Sequence, residues 1–211
     1  MHSQPKVILM FKKISGQEKA WEILISLEPE AVCKNADATF NSSLKLYTLK
    51  LFGHEIYVSL KDKKITGSSS ESEFILNNLG YFSGLSILWY LISAKDIPPS
   101  GKLINPSNIK GGELFFRGSH VLPLDKLAQK YESDLNGFFE RGKIFHSGKM
   151  DYGDASIKLY PFPMVPVIII LWQKDDEFPG RADLLLDAAC ELHLPTDIIW
   201  ATAMISVLIM I

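Results

Sequence analysis

The spacing of hydrophobic residues changes several times along the chain, and each change predicts an element. Over residues 17–34 the apolar side chains Ala20, Trp21, Ile23, Leu24, Leu27, Ala31 and Val32 recur at helical intervals, with an interruption near Pro29. One helix or two short ones are expected there. From Leu44 the period drops to two. Leu44, Leu46 and Thr48 alternate with Lys45, Tyr47 and Leu49, and after Gly53-His54 the residues Ile56, Val58 and Leu60 alternate with Glu55, Tyr57 and Ser59. That is a β-hairpin turning near Gly53. A Gly67-Ser68-Ser69-Ser70 loop leads into a largely apolar, hence buried, helix through Phe74, Ile75, Leu79, Phe82, Leu85, Leu88, Trp89 and Ile92, with Ser70 or Ser72 as its cap.

Pro98-Pro99-Ser100-Gly101 ends this helix, and a polar, turn-rich stretch runs to Gly111-Gly112. Residues 114–120 predict a strand or extended segment turning at Gly118; 124–131 and 135–141 predict two short helices, the second stopped by Gly142. Residues 156–160 and 165–172 read as strands. The second is apolar nearly throughout and β-branched in Val167-Ile168-Ile169-Ile170, so it belongs in the middle of a sheet with both faces buried. Helices are predicted over 181–192 and 197–211, the latter capped by Thr196.

Residues 198–211 carry only Thr202 and Ser206 as polar side chains. A helix of that length rises roughly 20 Å, against roughly 30 Å for a bilayer's hydrocarbon core, so it predicts a buried helix and no membrane span. It runs out on Leu208-Ile209-Met210-Ile211 without cap, charge or glycine. That ending predicts a helix cut before its natural stop, or one completed on a partner chain, as in an oligomer formed through it.

Strands in separate blocks, helices between and after them, and no βαβ repetition predict an α+β fold: a mixed or antiparallel sheet with hairpins, packed against several helices, with an apolar C-terminal helix. The 211 residues suit a single domain, 1–211, with a sub-boundary at 67–72. The 22 basic and 24 acidic residues give a net charge of −2, which removes the electrostatic footprint of a nucleic-acid or polybasic membrane-surface binder. Two cysteines, Cys33 and Cys190, cannot supply the four thiolates of an iron–sulfur cluster or a Cys₄ zinc site, and so few suit a reducing cytoplasm. The short apolar run Val7 to Phe11 is flanked by lysines with no small-residue cleavage pattern after it, so it does not predict a signal peptide.

From Tyr90-Leu91 onward several motifs occur in a specific order. They include Gly111-Gly112-Glu113, Phe115-Phe116-Arg117-Gly118-Ser119-His120 with Leu122-Pro123, and Gly153-Asp154-Ala155-Ser156. Pro161-Phe162-Pro163 with Pro166 follows, then Ile170-Leu171-Trp172 before Asp175-Asp176-Glu177-Phe178-Pro179, Arg181-Ala182, and Leu194-Pro195-Thr196-Asp197. In combination they resemble an uncharacterised prokaryotic domain family met mainly in anaerobic bacteria and archaea, some members of which are fused to an iron–sulfur cluster domain. The resemblance implies no activity and no known cofactor. It implies an accessory role in anaerobic metal or cofactor metabolism (tetrapyrrole, corrinoid or iron–sulfur related), with a small-molecule ligand or an iron–sulfur or corrinoid protein as partner. Met164 departs from the pattern, which expects a basic residue between the two prolines.

Two sites stand out chemically. Arg117 and His120 flank Gly118, so a planar five-donor cation and an imidazole can share one pocket, the first suited to a carboxylate or phosphate. Phe116 and Trp172, within the set Phe115, Phe116, Phe138, Phe139, Phe162, Trp172 and Phe178, can floor a flat ligand's pocket, though such sets are commonly core. Asp175 and Glu177, two apart at a strand end, would face one side and can hold a hard cation such as Mg²⁺ or Ca²⁺; the alternative is a solvated strand end capping a helix near Pro179. Internal pairing of Arg117 with Asp154 or Asp176, and a backbone-bonded His120, are the corresponding structural roles. His120 with His146 lacks metal-site spacing, Cys190 suits a core thiol, Ser156 is no nucleophile elbow, and Gly111-Gly112 is no phosphate loop.

Three readings follow. The chain is a cytoplasmic ligand-binding or accessory domain anchored by Arg117 and His120. Or it is a divalent-metal-assisted hydrolase or transferase, with Asp175 and Glu177 on the metal and His120 as general base. Or it is a protein–protein interaction module that docks through its last helix. The first two require the turn after the paired phenylalanines and the acidic tip of the central strand to open onto one hollow.

Overall fold

The computed structural model describes residues 16–115 and 118–211. The first helical region is two helices, α1 (Gly16–Ser26) and α2 (Pro29–Ala36). Pro29 lacks an amide N–H and occupies the first turn of α2, where that donor is not needed, so the chain breaks just before it. A four-stranded antiparallel meander follows: β1 (Thr39–Asn41), β2 (Leu46–Leu51), β3 (His54–Ser59) and β4 (Lys64–Gly67). The predicted hairpin is β2–β3. Its two-residue turn has both Phe52 (φ 49°) and Gly53 (φ 81°) in the left-handed region, the geometry that matches strand twist.

The long apolar helix expected over 74–92 is α3 (Ser70–Asn78) and α4 (Gly80–Ser93), broken at Leu79-Gly80. Its cap is Ser69, one residue ahead of Ser70 and three ahead of Ser72, the two expected caps. The Ser69 hydroxyl accepts the Ser72 N–H while Ser72 Oγ accepts the Ser69 N–H, a reciprocal capping box.

The second half builds a five-stranded antiparallel sheet in the order β5-β9-β8-β7-β6 from β5 (Leu103–Ile104), β6 (Gly148–Met150), β7 (Ala155–Phe162), β8 (Val165–Trp172) and β9 (Arg181–Asp187). The helices α5 (Gly112–Phe115), α6 (Leu124–Tyr131) and α7 (Leu135–Ile144) lie between β5 and β6, and α8 (Cys190–His193) and α9 (Thr196–Leu208) follow β9. The α+β class and the hairpins are as expected, and both sheets are wholly antiparallel. β8 sits between β7 and β9 with every residue from Val165 to Leu171 buried, as its unbroken apolar run requires.

Two assignments differ. Residues 181–187 form a strand where a helix was expected. Ala182, Leu184 and Leu186 are buried in the main core while Arg181, Asp183 and Leu185 point to the other face, a period of two that the consecutive leucines disguise. Residues 112–115 are helical where an extended segment was expected, and Phe116 and Arg117 lie outside the described residues.

α9 is apolar on all sides because it is the central helix of the core, packed on α4, β7 and β8. Its end is capped within the chain. The Arg141 Nε–H donates to the Ile209 carbonyl (2.7 Å), and the Tyr131 hydroxyl (2.6 Å) and Lys130 ammonium (3.1 Å) donate to that of Met210. Donors from α6 and α7 therefore meet the carbonyls a helix leaves open, and Ile209 and Met210 are fully buried. Among the described residues no single helix is long and apolar enough to cross a membrane.

Candidate functional site

The register of β8 and β9 places Trp172 directly opposite Arg181 and Ile170 opposite Asp183, so these side chains share one face at the end of the sheet. The Trp172 indole N–H donates to Asp183 Oδ2 at 2.8 Å. The Arg181 guanidinium carbon stands 4.8 Å from the indole centroid, a cation–π contact. Arg181 Nε is 3.8 Å from the same Asp183 oxygen, too far for a hydrogen bond, and both side chains are largely in water.

The loop from β8 to β9 folds back on Asp175. Asp175 Oδ1 accepts the N–H groups of Phe178 (2.6 Å) and Glu177 (2.9 Å), and the Asp175 N–H donates to the Phe178 carbonyl (3.1 Å). Those two bonds, the one from Phe178 first, hold the Asp175 carboxyl below the usual carboxylate range. Phe178 is left at the tip with 66% of its surface exposed. The Gly153-Asp154 turn closes the other side. The Asp154 N–H donates to the Leu171 carbonyl at 2.9 Å, and Asp154 Oδ2 accepts the Gln173 N–H at 2.6 Å. Gly153 has φ +58°, and a Cβ there would stand 2.6 Å from the Leu171 carbonyl oxygen and 3.4 Å from the indole ring, so only glycine fits. The result is a cleft of about 630 Å³, within the range of small-molecule sites, with Asp154, Trp172, Asp175, Phe178, Pro179 and Arg181 among its walls.

Of the residues predicted for the site, Trp172 and Asp175 meet in this cleft. Phe116 and Arg117 lie outside the described residues. His120 is not in the cleft lining. It packs edge-on against Trp200 of α9 (centroids 5.3 Å apart), whose indole N–H donates to the His120 carbonyl at 2.8 Å. Glu177 gives Asp175 its N–H and its side chain is not in the lining. Among the described residues there is no group of three or more histidine, cysteine, aspartate or glutamate side chains able to hold a metal ion. His146 stacks edge-on against His54 at 4.9 Å, so its neighbours differ from those of His120. The aromatic set divides: Phe138 and Phe162 are core, Phe162 stacked on Tyr90 at 4.4 Å, whereas Trp172 and Phe178 wall the cleft.

The sequence reading missed a second chemically dense place, where β9 ends. Asp187 is 1% exposed, and its carboxylate accepts four hydrogen bonds, from the Ser100 N–H and hydroxyl, the Gly101 N–H and the Ala189 N–H, at 2.7–2.9 Å. Burial pulls its pKa upward, but those four bonds together outweigh it and hold the carboxyl below its ordinary range. Close by, Cys190 and His193 are fully buried. Burial first, then the nearby Glu191 and Asp187, push the Cys190 thiol up to about 12, so it is a protonated core thiol, as expected, and no nucleophile. The His193 Nδ1 accepts the Lys95 N–H at 3.3 Å, which places the ring proton on Nε2, and that nitrogen has no partner among the described residues. Aspartate, histidine and cysteine thus cluster without the access or activation that catalysis needs. Nothing local in the sequence signals Asp187, because Ser100 and Gly101 lie more than 80 residues away.

No curated protein and no solved structure matches the chain. A family model does, over residues 28–208, which take in both sheets and all but the start of the helical framework around them. The chain belongs to the DUF3786 family, a domain of unknown function.

Proposed function

We propose that this chain is a ligand-binding accessory domain whose binding platform is the Trp172 cleft. The observation that carries the reading is an aromatic floor and an open guanidinium held at the mouth of a cleft of about 630 Å³. Trp172 is fixed at three points: by its strand, by Gly153 behind it and by the Asp183 bond, so the platform exists before any ligand arrives. Asp175 gives one carboxylate oxygen to its own loop and Asp154 gives one to the Gln173 N–H, so both are held in place at the cleft wall. Stretches separated in the chain, Gly153-Asp154, Trp172, Asp175 to Pro179 and Arg181, all come from motifs through which the sequence resembles its family. A role beside anaerobic metal or cofactor metabolism is what that resemblance implies, and the low cysteine count suits a cytoplasmic setting.

The test is a titration followed through the Trp172 indole N–H and the Gln173 and Phe178 backbone N–H resonances in nitrogen-edited NMR, the backbone signals serving for Trp172→Ala, using a panel of planar compounds that includes a porphyrin and a corrinoid. At least one compound is expected to shift the indole resonance, and Trp172→Ala should abolish its binding. Binding that survives Trp172→Ala, or a panel that leaves the resonance unmoved, overturns the reading.

A further inference from the structure

The charge inventory of the cleft points to a particular ligand chemistry. Asp154 and Asp175 line it with Arg181, and Asp183 holds the indole N–H at its edge, so three carboxylates accompany one guanidinium. Each gives one oxygen to a protein donor, Asp154 Oδ2 to Gln173, Asp175 Oδ1 to the loop and Asp183 Oδ2 to Trp172. The second oxygen of each accepts no hydrogen bond from the described residues. Asp154 and Asp175 share the cleft with the platform and Asp183 is hydrogen-bonded to it, so their fields act together there. An anion entering the cleft would find one attractive charge against three repulsive ones. A cation finds the reverse, over an indole face suited to it.

That face already carries a cation. Arg181 lies over Trp172 at 4.8 Å, and its ion-pair contact among the described residues is with Asp183 at 3.8 Å, a distance too long for a hydrogen bond. We infer that the cleft takes a planar or compact organic cation of the guanidinium, amidinium or quaternary ammonium class, and that Arg181 occupies its place until the ligand displaces it. The displaced guanidinium has a partner within reach, because closing the gap to Asp183 by about 1 Å makes a hydrogen-bonded ion pair. Arg181 then acts as an internal competitor. Exposed cation–π contacts have the strength to weaken ligand binding by about two- to five-fold.

The inference rests on the cleft being the binding site, and the experiment separates the two. Benzamidinium, benzyl alcohol and benzoate share a ring and differ in charge, and each is titrated into the wild-type chain and the Arg181→Gln and Asp175→Asn variants while the Trp172 indole N–H is followed, and into Trp172→Ala while the Gln173 and Phe178 backbone N–H resonances are followed. Asp175→Asn keeps the oxygen that accepts the loop N–H groups and removes only the charge. Benzamidinium is expected to bind most tightly, to gain two- to five-fold in Arg181→Gln, to weaken in Asp175→Asn and to stop binding in Trp172→Ala. If benzoate binds best and Arg181→Gln removes it, Arg181 is an anion reader and the inference falls while the cleft stands. Benzamidinium affinity unchanged or lowered in Arg181→Gln also overturns it. If none of the three probes moves the indole resonance, both the inference and the binding-site reading fail.

Discussion

The two ends of β9 carry the same kind of residue and opposite arrangements. At its start, Arg181 rests on an aromatic ring with its donors in water and its nearest carboxylate 3.8 Å away. At its end, Asp187 is almost fully buried and its carboxylate accepts four hydrogen bonds. A charge buried with four short hydrogen bonds is part of the scaffold, since losing it strands those donors. A charge left exposed beside a concavity contributes little to folding and is available to something else. Satisfaction, more than residue type, separates the two roles.

The largest effect expected from breaking this contrast is at the closed end. Asp187→Ala leaves two backbone N–H groups of the 100–101 loop, the Ser100 hydroxyl and the Ala189 N–H without their acceptor, and should cost about 3 kcal/mol, read as a lower denaturant midpoint at unchanged slope. Its pH dependence has a definite sign. The folded-state pKa is depressed, so the carboxylate's stabilisation is complete above the unfolded value of about 4 and is lost as pH falls through the folded one. A variant as stable as wild type at neutral pH would make Asp187 incidental.

The next effect is smaller and lies at higher pH. Burial lowers the pKa of His193 against a smaller opposing pull from Asp187, so the ring is neutral in the folded protein. Protonation would put a charge where Nε2 has no described partner and would remove the acceptor of the Lys95 N–H. Stability should therefore be intact above the unfolded value of about 6.5 and decline below it as pH falls through the folded one. His193→Gln can still accept from Lys95 and does not titrate, so its unfolding midpoint should fall less than that of wild type between pH 7 and pH 5. Parallel declines would remove His193 from the acid response.

These ends also differ in how far the sequence announced them. Period and punctuation located β2–β3, the two-face-buried β8, the break at Pro29 and the burial of α9, because each depends on residues close in the chain. Trp172 and Asp175 were legible as a strand tip facing open space. Arg181 was misplaced onto a helix, since Leu184-Leu185-Leu186 fits either period and only pairing with β8 decides it. Asp187 and the capping of α9 by Arg141, Tyr131 and Lys130 were illegible for a common reason: apart from Ala189, their partners lie between 68 and 87 residues away, and no local pattern encodes such a meeting. His120 was expected beside the acidic tip and stands instead on Trp200, a neighbour supplied by a helix 80 residues later.

The smallest effect sharpens the contrast most. Arg181→Gln removes a charge whose partners among the described residues are an exposed ring and a long, solvent-screened ion pair, so its unfolding free energy should stay within about 0.5 kcal/mol of wild type. Arg181 and Asp187 are six residues apart on one strand, roughly 20 Å, and share no hydrogen-bond partner, so the double variant Arg181→Gln with Asp187→Ala should lose the sum of the two single losses to within about 0.5 kcal/mol. A deficit well beyond that sum, measured by denaturant unfolding at matched pH and salt, would mean the strand couples its ends. The open end would then belong to the scaffold, and an exposed arginine on a tryptophan would no longer mark a place kept for a ligand.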